Sequence, residues 1–259
     1  MTTDPLDPLA AFRLDGRVAV VTGASAGLGA RFARVLDGLG ARVVVAARRA
    51  DRLTALTAEL RDAHAVECDL TRPGAPGELA AAALERYGRI DVLVNNAGRS
   101  EARPALDETT DEFRSDLELN LVAPFELARE CARAMIAGDG GTIVNVASIL
   151  GLVGGGRLPQ AAYAASKGGL VNLTRDLAAQ WARRGVRVNA IAPGWFRSEM
   201  TDGRMFGDER SETWLRRNTP MGRGGDEHEL DGALLFLASD ASTFVTGQVL
   251  CVDGGWTSV

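Results

Sequence analysis

Lysine is almost missing from this chain. Of the 29 basic residues in 259, one is lysine, Lys167, and the other 28 are arginine. Histidine occurs twice (His64, His228), tyrosine twice (Tyr87, Tyr163) and cysteine three times (Cys68, Cys131, Cys251). Three scattered cysteines make neither a disulfide framework nor a CxxC metal site, so they read as reduced apolar filler. With no HExxH and no histidines at ligand spacing, a protein-bound catalytic metal is not expected. No apolar run approaches the ~18 to 20 residues that cross a bilayer. The opening MTTDPLDPLAAF lacks the basic stretch of a signal peptide, so the expected location is cytoplasmic, away from membranes. Positive charge is not in excess either: a net charge of -5 and a pI of about 5.2 argue against a nucleic-acid partner.

What is present is enough apolar residue, 46% of the chain, to bury a core. No linker or composition break divides it, so one domain is expected over 1–259, with residues 1–13 as an N-terminal extension. Short β-branched runs at 17–22, 42–46, 65–68, 90–94, 142–146, 186–191 and 248–252 alternate with helical patterns at 28–39, 51–61, 78–87, 110–137, 162–183 and 227–238. That alternation predicts an α/β fold with a seven-stranded parallel sheet and helices on both faces. The stretch 195–225 has no strand pattern but carries Trp195, Phe196, Met200, Met205, Phe206 and Trp214, and is expected to be a substrate lid with short helices.

Ligands of an open parallel sheet bind beyond the carboxyl ends of its strands. Those ends carry small and polar residues here: Gly23, Ser25, Gly27, Leu28 and Gly29 after the first, Arg48 after the second, Asp69-Leu70 after the third, Asn95-Asn96-Ala97-Gly98 after the fourth, Ser148 after the fifth and Pro193-Gly194 after the sixth. In the first of these loops glycine permits positive φ and close backbone approach, and the helix start offers free N–H groups to a phosphate. Its GxxxGxG spacing is neither the GxGxxG fingerprint nor a Walker A loop.

The lone lysine stands four residues after Tyr163, which puts both side chains on one face of a helix. Lysine differs from arginine in being a compact ammonium. A phenol has a pKa of ~10, and lowering it to ~7 takes about 4 kcal/mol of preferential phenolate stabilisation. A nearby ammonium and a positively charged nicotinamide would supply that.

Together these residues resemble the short-chain dehydrogenase/reductase family in its compact, single-domain form, over nearly the whole chain. TGASAGLG matches the family's TGxxxGxG loop, NNAG its fourth-strand motif, Asn120 in ELNLV its helix asparagine, and YAASK its YxxxK. The resemblance implies a doubly wound Rossmann-type sheet and hydride transfer between nicotinamide C4 and a carbonyl or secondary-alcohol carbon. Tyr163 would be the acid or base, Ser148 would bond the substrate oxygen, Lys167 would hold the ribose hydroxyls, and Asn120 would anchor a relay water. The glycine loop, Asp69, Leu70, Asn95, Ala97, Gly98, Pro193, Gly194 and Ser198 would line the cofactor, and the working unit would be a homotetramer. The Ser148-to-Tyr163 interval, fifteen residues, is two longer than the commonest family spacing. Ser198 stands where many members have threonine.

A carboxylate that would bind the ribose 2′-OH of NAD is missing at the end of the second strand, where Ala47 is followed by Arg48. A guanidinium there suits a 2′-phosphate, so NADP(H) is expected over NAD(H). Because Asn120, Ser148, Tyr163 and Lys167 are all present, a catalyst is favoured over a non-catalytic nucleotide-sensing protein. A ketoreductase and a β-ketoacyl-acyl-carrier-protein reductase remain open. Arg183-Arg184 would suit an acidic carrier, but Ala137-Gly138-Asp139-Gly140 places no base at the other expected contact.

Overall fold

Val18–Thr22 is uniformly apolar or β-branched and buried on both faces, as a central parallel strand requires. This strand, β1, and β2 (Arg42–Ala47), β3 (Ala63–Glu67), β4 (Val92–Asn95), β5 (Gly141–Val146), β6 (Val186–Pro193) and β7 (Val249–Val252) form one seven-stranded sheet in the order β3-β2-β1-β4-β5-β6-β7. Every pairing is parallel. The computed structural model describes residues 7–155, 158–198, 201 and 205–259. Residues 1–6 of the expected extension, 156–157, and 199–200 and 202–204 of the expected lid, Met200 among them, lie outside the described residues.

Alternate strand residues serve opposite layers. Ala19, Val21, Val43 and Val45 pack with α1 (Gly27–Gly38), α2 (Ala50–Glu59) and residues of a C-terminal helix, Leu234 and Leu237. Val18, Val20, Val44 and Leu93 face α3 (Ala75–Tyr87) and, further along, Leu127 and Leu177. At about 1.5–3 kcal/mol for each fully buried Val or Leu side chain, these two layers fix the sheet. The order reverses between β1 and β4, so a crevice opens beyond their carboxyl ends.

Residues 110–137, expected as one helix, form three segments: α4 (Thr110–Leu117), a π-helical turn (Glu118–Val122) and α5 (Ala123–Ala137). Pro124 explains the interruption, because it has no N–H for the carbonyl of Asn120 and its ring crowds that carbonyl. α6 (Ala161–Trp181) is a single long helix. The strandless stretch after β6 contains α7 (Glu209–Asn218), and residues 227–238 divide into a 3₁₀ turn (Glu227–Leu230) and α8 (Asp231–Ala238). Among the described residues no helix is long and apolar enough to cross a membrane.

Candidate active site

The turn from β1 into α1 depends on glycine at three points. Gly23 and Gly27 hold φ of +66° and +51°, and a Cβ on Gly29 would stand 2.3 Å from the Gly23 carbonyl oxygen. Ala26, the residue before α1, makes no side-chain cap, which leaves the first N–H groups of the helix to a ligand. The loop is pinned from β4. Asn96 donates through Nδ2 to the Thr22 carbonyl (2.9 Å), and the Asn96 and Ala97 N–H groups both donate to Thr22 Oγ1 (3.0 Å).

Ser148 lies two residues beyond β5 and caps a 3₁₀ turn, Ile149–Gly151, by accepting the Leu150 N–H at 3.1 Å. Tyr163 and Lys167 lie one turn apart near the start of α6. Lys167 is 4% exposed, donates to the Val146 carbonyl at 2.7 Å, and holds its Nζ 5.6 Å from the centre of the Tyr163 ring. It has no carboxylate partner among the described residues, and burial alone brings its ammonium down to about 8. Burial pushes the Tyr163 phenol up, and a hydrogen bond with Ser148 opposes part of that.

Asn120, on the π turn, is fully buried. Its Nδ2 donates to the Arg99 carbonyl (2.9 Å) and to Ser166 Oγ (3.2 Å), and its Oδ1 accepts the Arg99 N–H (3.0 Å). The amide therefore clasps the chain leaving β4 to α6.

These residues surround a cleft of about 440 Å³, inside the range of small-molecule sites. It is lined by Gly23, Gly27, Leu28, Gly29, Ala97, Gly98, Ser148, Tyr163, Lys167, Pro193, Gly194 and Ser198, all anticipated from the sequence. Ser25, Arg48, Asp69, Leu70, Asn95 and Asn120 do not line it. Ser25 accepts from Arg49 Nε at 3.0 Å, and it is Arg49 that reaches the cleft while Arg48 stands exposed. Asp69 is exposed and bonded to Thr71, whose hydrogen bonds hold its carboxyl below the usual range, with smaller help from Arg48. Leu70 is buried in the α3 layer. Asn95 turns inward to Asn145 Oδ1 (2.9 Å) and the Pro124 carbonyl (3.2 Å), and its neighbour Asn96 faces the cleft in its place. Sequence reasoning also missed Thr201, whose hydroxyl accepts the Ser198 N–H at 3.0 Å and donates to the Phe196 carbonyl at 2.6 Å.

An uncapped helix start across glycines, a buried ammonium with donor capacity beyond Val146, and a cleft of this size fit a dinucleotide. The fold and the Ser148–Tyr163–Lys167 group define a nicotinamide-dependent oxidoreductase. The family model described as enoyl-(acyl carrier protein) reductase matches residues 23–257. The chain is 42% identical over 254 residues to galactitol 2-dehydrogenase (L-tagatose-forming) of Cereibacter sphaeroides, across 97% of this chain and 99% of that protein. It is 38% identical over 247 residues to the 3-oxoacyl-[acyl-carrier-protein] reductase of Rickettsia bellii, across 95% of this chain and 99% of that one. The crystal structure of a gluconate 5-dehydrogenase from Burkholderia cenocepacia in complex with NADP and tartrate superposes with a TM-score of 0.90 at 37% identity, over 97% of this chain and 99% of that chain. The chain belongs to the short-chain dehydrogenase/reductase family.

Proposed function

We propose that the chain is an NADP(H)-dependent ketoreductase that interconverts a ketone and a secondary alcohol. The observation that carries the reading is the only lysine of the chain, buried one helical turn from Tyr163 with Ser148 against the phenol. The bound nicotinamide supplies or takes up the hydride. Ser148 donates to the substrate oxygen and orients it, and Tyr163 delivers a proton to that oxygen as the carbonyl carbon is reduced. Because burial raises the Tyr163 pKa, the phenol is protonated at neutral pH and suited to donate. Lys167 holds its ammonium beside the ring, where it stabilises the phenolate left behind. Asn120 fixes the strand-to-helix spacing through Arg99.

NADP(H) is preferred over NAD(H) because Ala47 offers no carboxylate to repel a 2′-phosphate and Arg48 and Arg49 follow it. A charge-assisted contact of ~1.5–3 kcal/mol corresponds to roughly ten- to a hundredfold in kcat/KM. Arg49→Asp, at the residue that reaches the cleft, should then reverse the NADPH/NADH order. The segment 195–225 is read as the substrate lid, the assembly as a homotetramer, and the location as cytoplasmic, in keeping with three unpaired cysteines. A β-ketoacyl-carrier reductase is the second reading, supported by the likeness to the Rickettsia bellii enzyme and by Arg183 and Arg184 in the 3₁₀ turn that follows α6.

Tyr163→Phe tests the assignment. Ketone-dependent NADPH oxidation should fall by about 10²–10⁴-fold, the usual worth of a positioned acid, with NADPH affinity nearly unchanged. Retention of a tenth of kcat would remove Tyr163 from the chemistry.

A further inference from the structure

Tyr163 and Ser148 border two spaces. Besides the cofactor cleft they line a chamber of about 70 Å³ walled by Leu150, Leu158, Trp195 and Met205. At ~10–15 Å³ for each water-sized occupant, the chamber admits about five to seven non-hydrogen atoms, enough for a carbonyl and short substituents. Next to it lies a groove of about 240 Å³ whose lining includes Ala105, Pro159, Ala161 and Ala164. Chamber and groove share Leu150, Leu158 and Gln160, which are therefore the partition between them.

That partition is movable at Leu158. A Cβ on Gly155 would stand 3.0 Å from the Leu158 carbonyl and 3.4 Å from Leu150 Cδ2, so the glycine lets the two leucines close over it. Gln160 is tied to Ser100 Oγ, and the Arg103 N–H donates to the Pro159 carbonyl at 2.8 Å, which fixes the lower lip. Leu150 is buried in a cluster with Trp195, Met205 and Phe206, so Leu158, only partly buried, is the side chain with room to change rotamer.

We propose that the groove is the distal part of the substrate site, and that the substrate is a ketone or secondary alcohol whose aliphatic tail passes Leu158 into it. This rests on the ketoreductase reading and names its substrate class. Among the described lining residues Gln160 is the only one with a polar side chain, so an alkyl tail gains by burial there while a polyhydroxylated chain leaves most of its hydroxyls without partners. Leu158 sets which tail shapes are admitted.

The test is kcat/KM with NADPH for methyl ketones from 2-butanone to 2-nonanone, with L-tagatose as the polyhydroxylated probe. In the unmodified protein kcat/KM should climb by up to about fourfold per methylene over the first several methylenes. Ala105→Trp, at an exposed position, should block the groove and cut the ratio of 2-octanone to 2-butanone at least tenfold. Leu158→Ala should raise the ratio of 4,4-dimethyl-2-pentanone to 2-hexanone. A flat series, or L-tagatose preferred to every methyl ketone, overturns the tail site while leaving the ketoreductase reading standing. No turnover of any of these compounds defeats both.

Discussion

Lys167 is a charge held where water scarcely reaches. With an ordinary lysine pKa of ~10.4 and a value of about 8 in the folded chain, its protonated form costs about 3 kcal/mol of folding free energy at neutral pH. Lys167→Met should accordingly abolish turnover yet raise the melting temperature of the ligand-free protein at pH 7 by a few degrees. Since the folded pKa lies below the unfolded one, the cost is full below about 8 and fades as pH rises toward the unfolded value. The advantage of the variant should narrow over that window in thermal melts at pH 7 and pH 10. A variant no more stable than the parent at pH 7 would mean that the burial costs nothing.

The Ile149–Gly151 turn and α6 set the distance between the Ser148 and Tyr163 hydroxyls. A Cβ on Gly151 would lie 2.6 Å from the backbone carbon and oxygen of Lys167 and 2.8 Å from the Gly168 nitrogen, so the turn rests directly on the helix that carries Tyr163 and Lys167. Gly151→Ala should push Ser148 off register, lowering kcat by about 10- to 100-fold with little change in NADPH binding. Gly154→Ala, with nothing within 4 Å of its added methyl, is the control. Equal kcat in the two variants would show that this contact does not set the register. At this scale the sequence was legible where period and punctuation agree, as in the glycine loop, the YxxxK turn and the seven strands. It was opaque where one residue of phase decides the outcome. Asn95 and Asn96 are chemically identical, and so are Arg48 and Arg49; which of each pair meets the cleft depends on where β4 and β2 end, and pattern alone blurs strand ends by a residue or two. The π turn was hidden because apolar spacing runs through it unbroken, although Pro124, four residues after Asn120, was a usable signal.

In the whole molecule, β7 closes one side of the sheet and leaves an unpaired edge. Phe244 stands fully exposed just before it and Leu250 on it is 38% exposed, while Val122 and Phe125 are partly exposed where the π turn enters α5. Apolar residues at two separate places on the surface agree with self-association through more than one contact. Light scattering should give a mass near four times 27.3 kDa at micromolar concentration; an active monomer would rule the tetramer out. The lone lysine also has a meaning at this scale. With 28 arginines and two histidines as its other basic residues, the protein has no side-chain primary amine other than the one buried a helical turn from Tyr163. Apart from the terminal α-amine, acylating reagents therefore have a single amine target, and its labelling reports whether that cleft is open or filled.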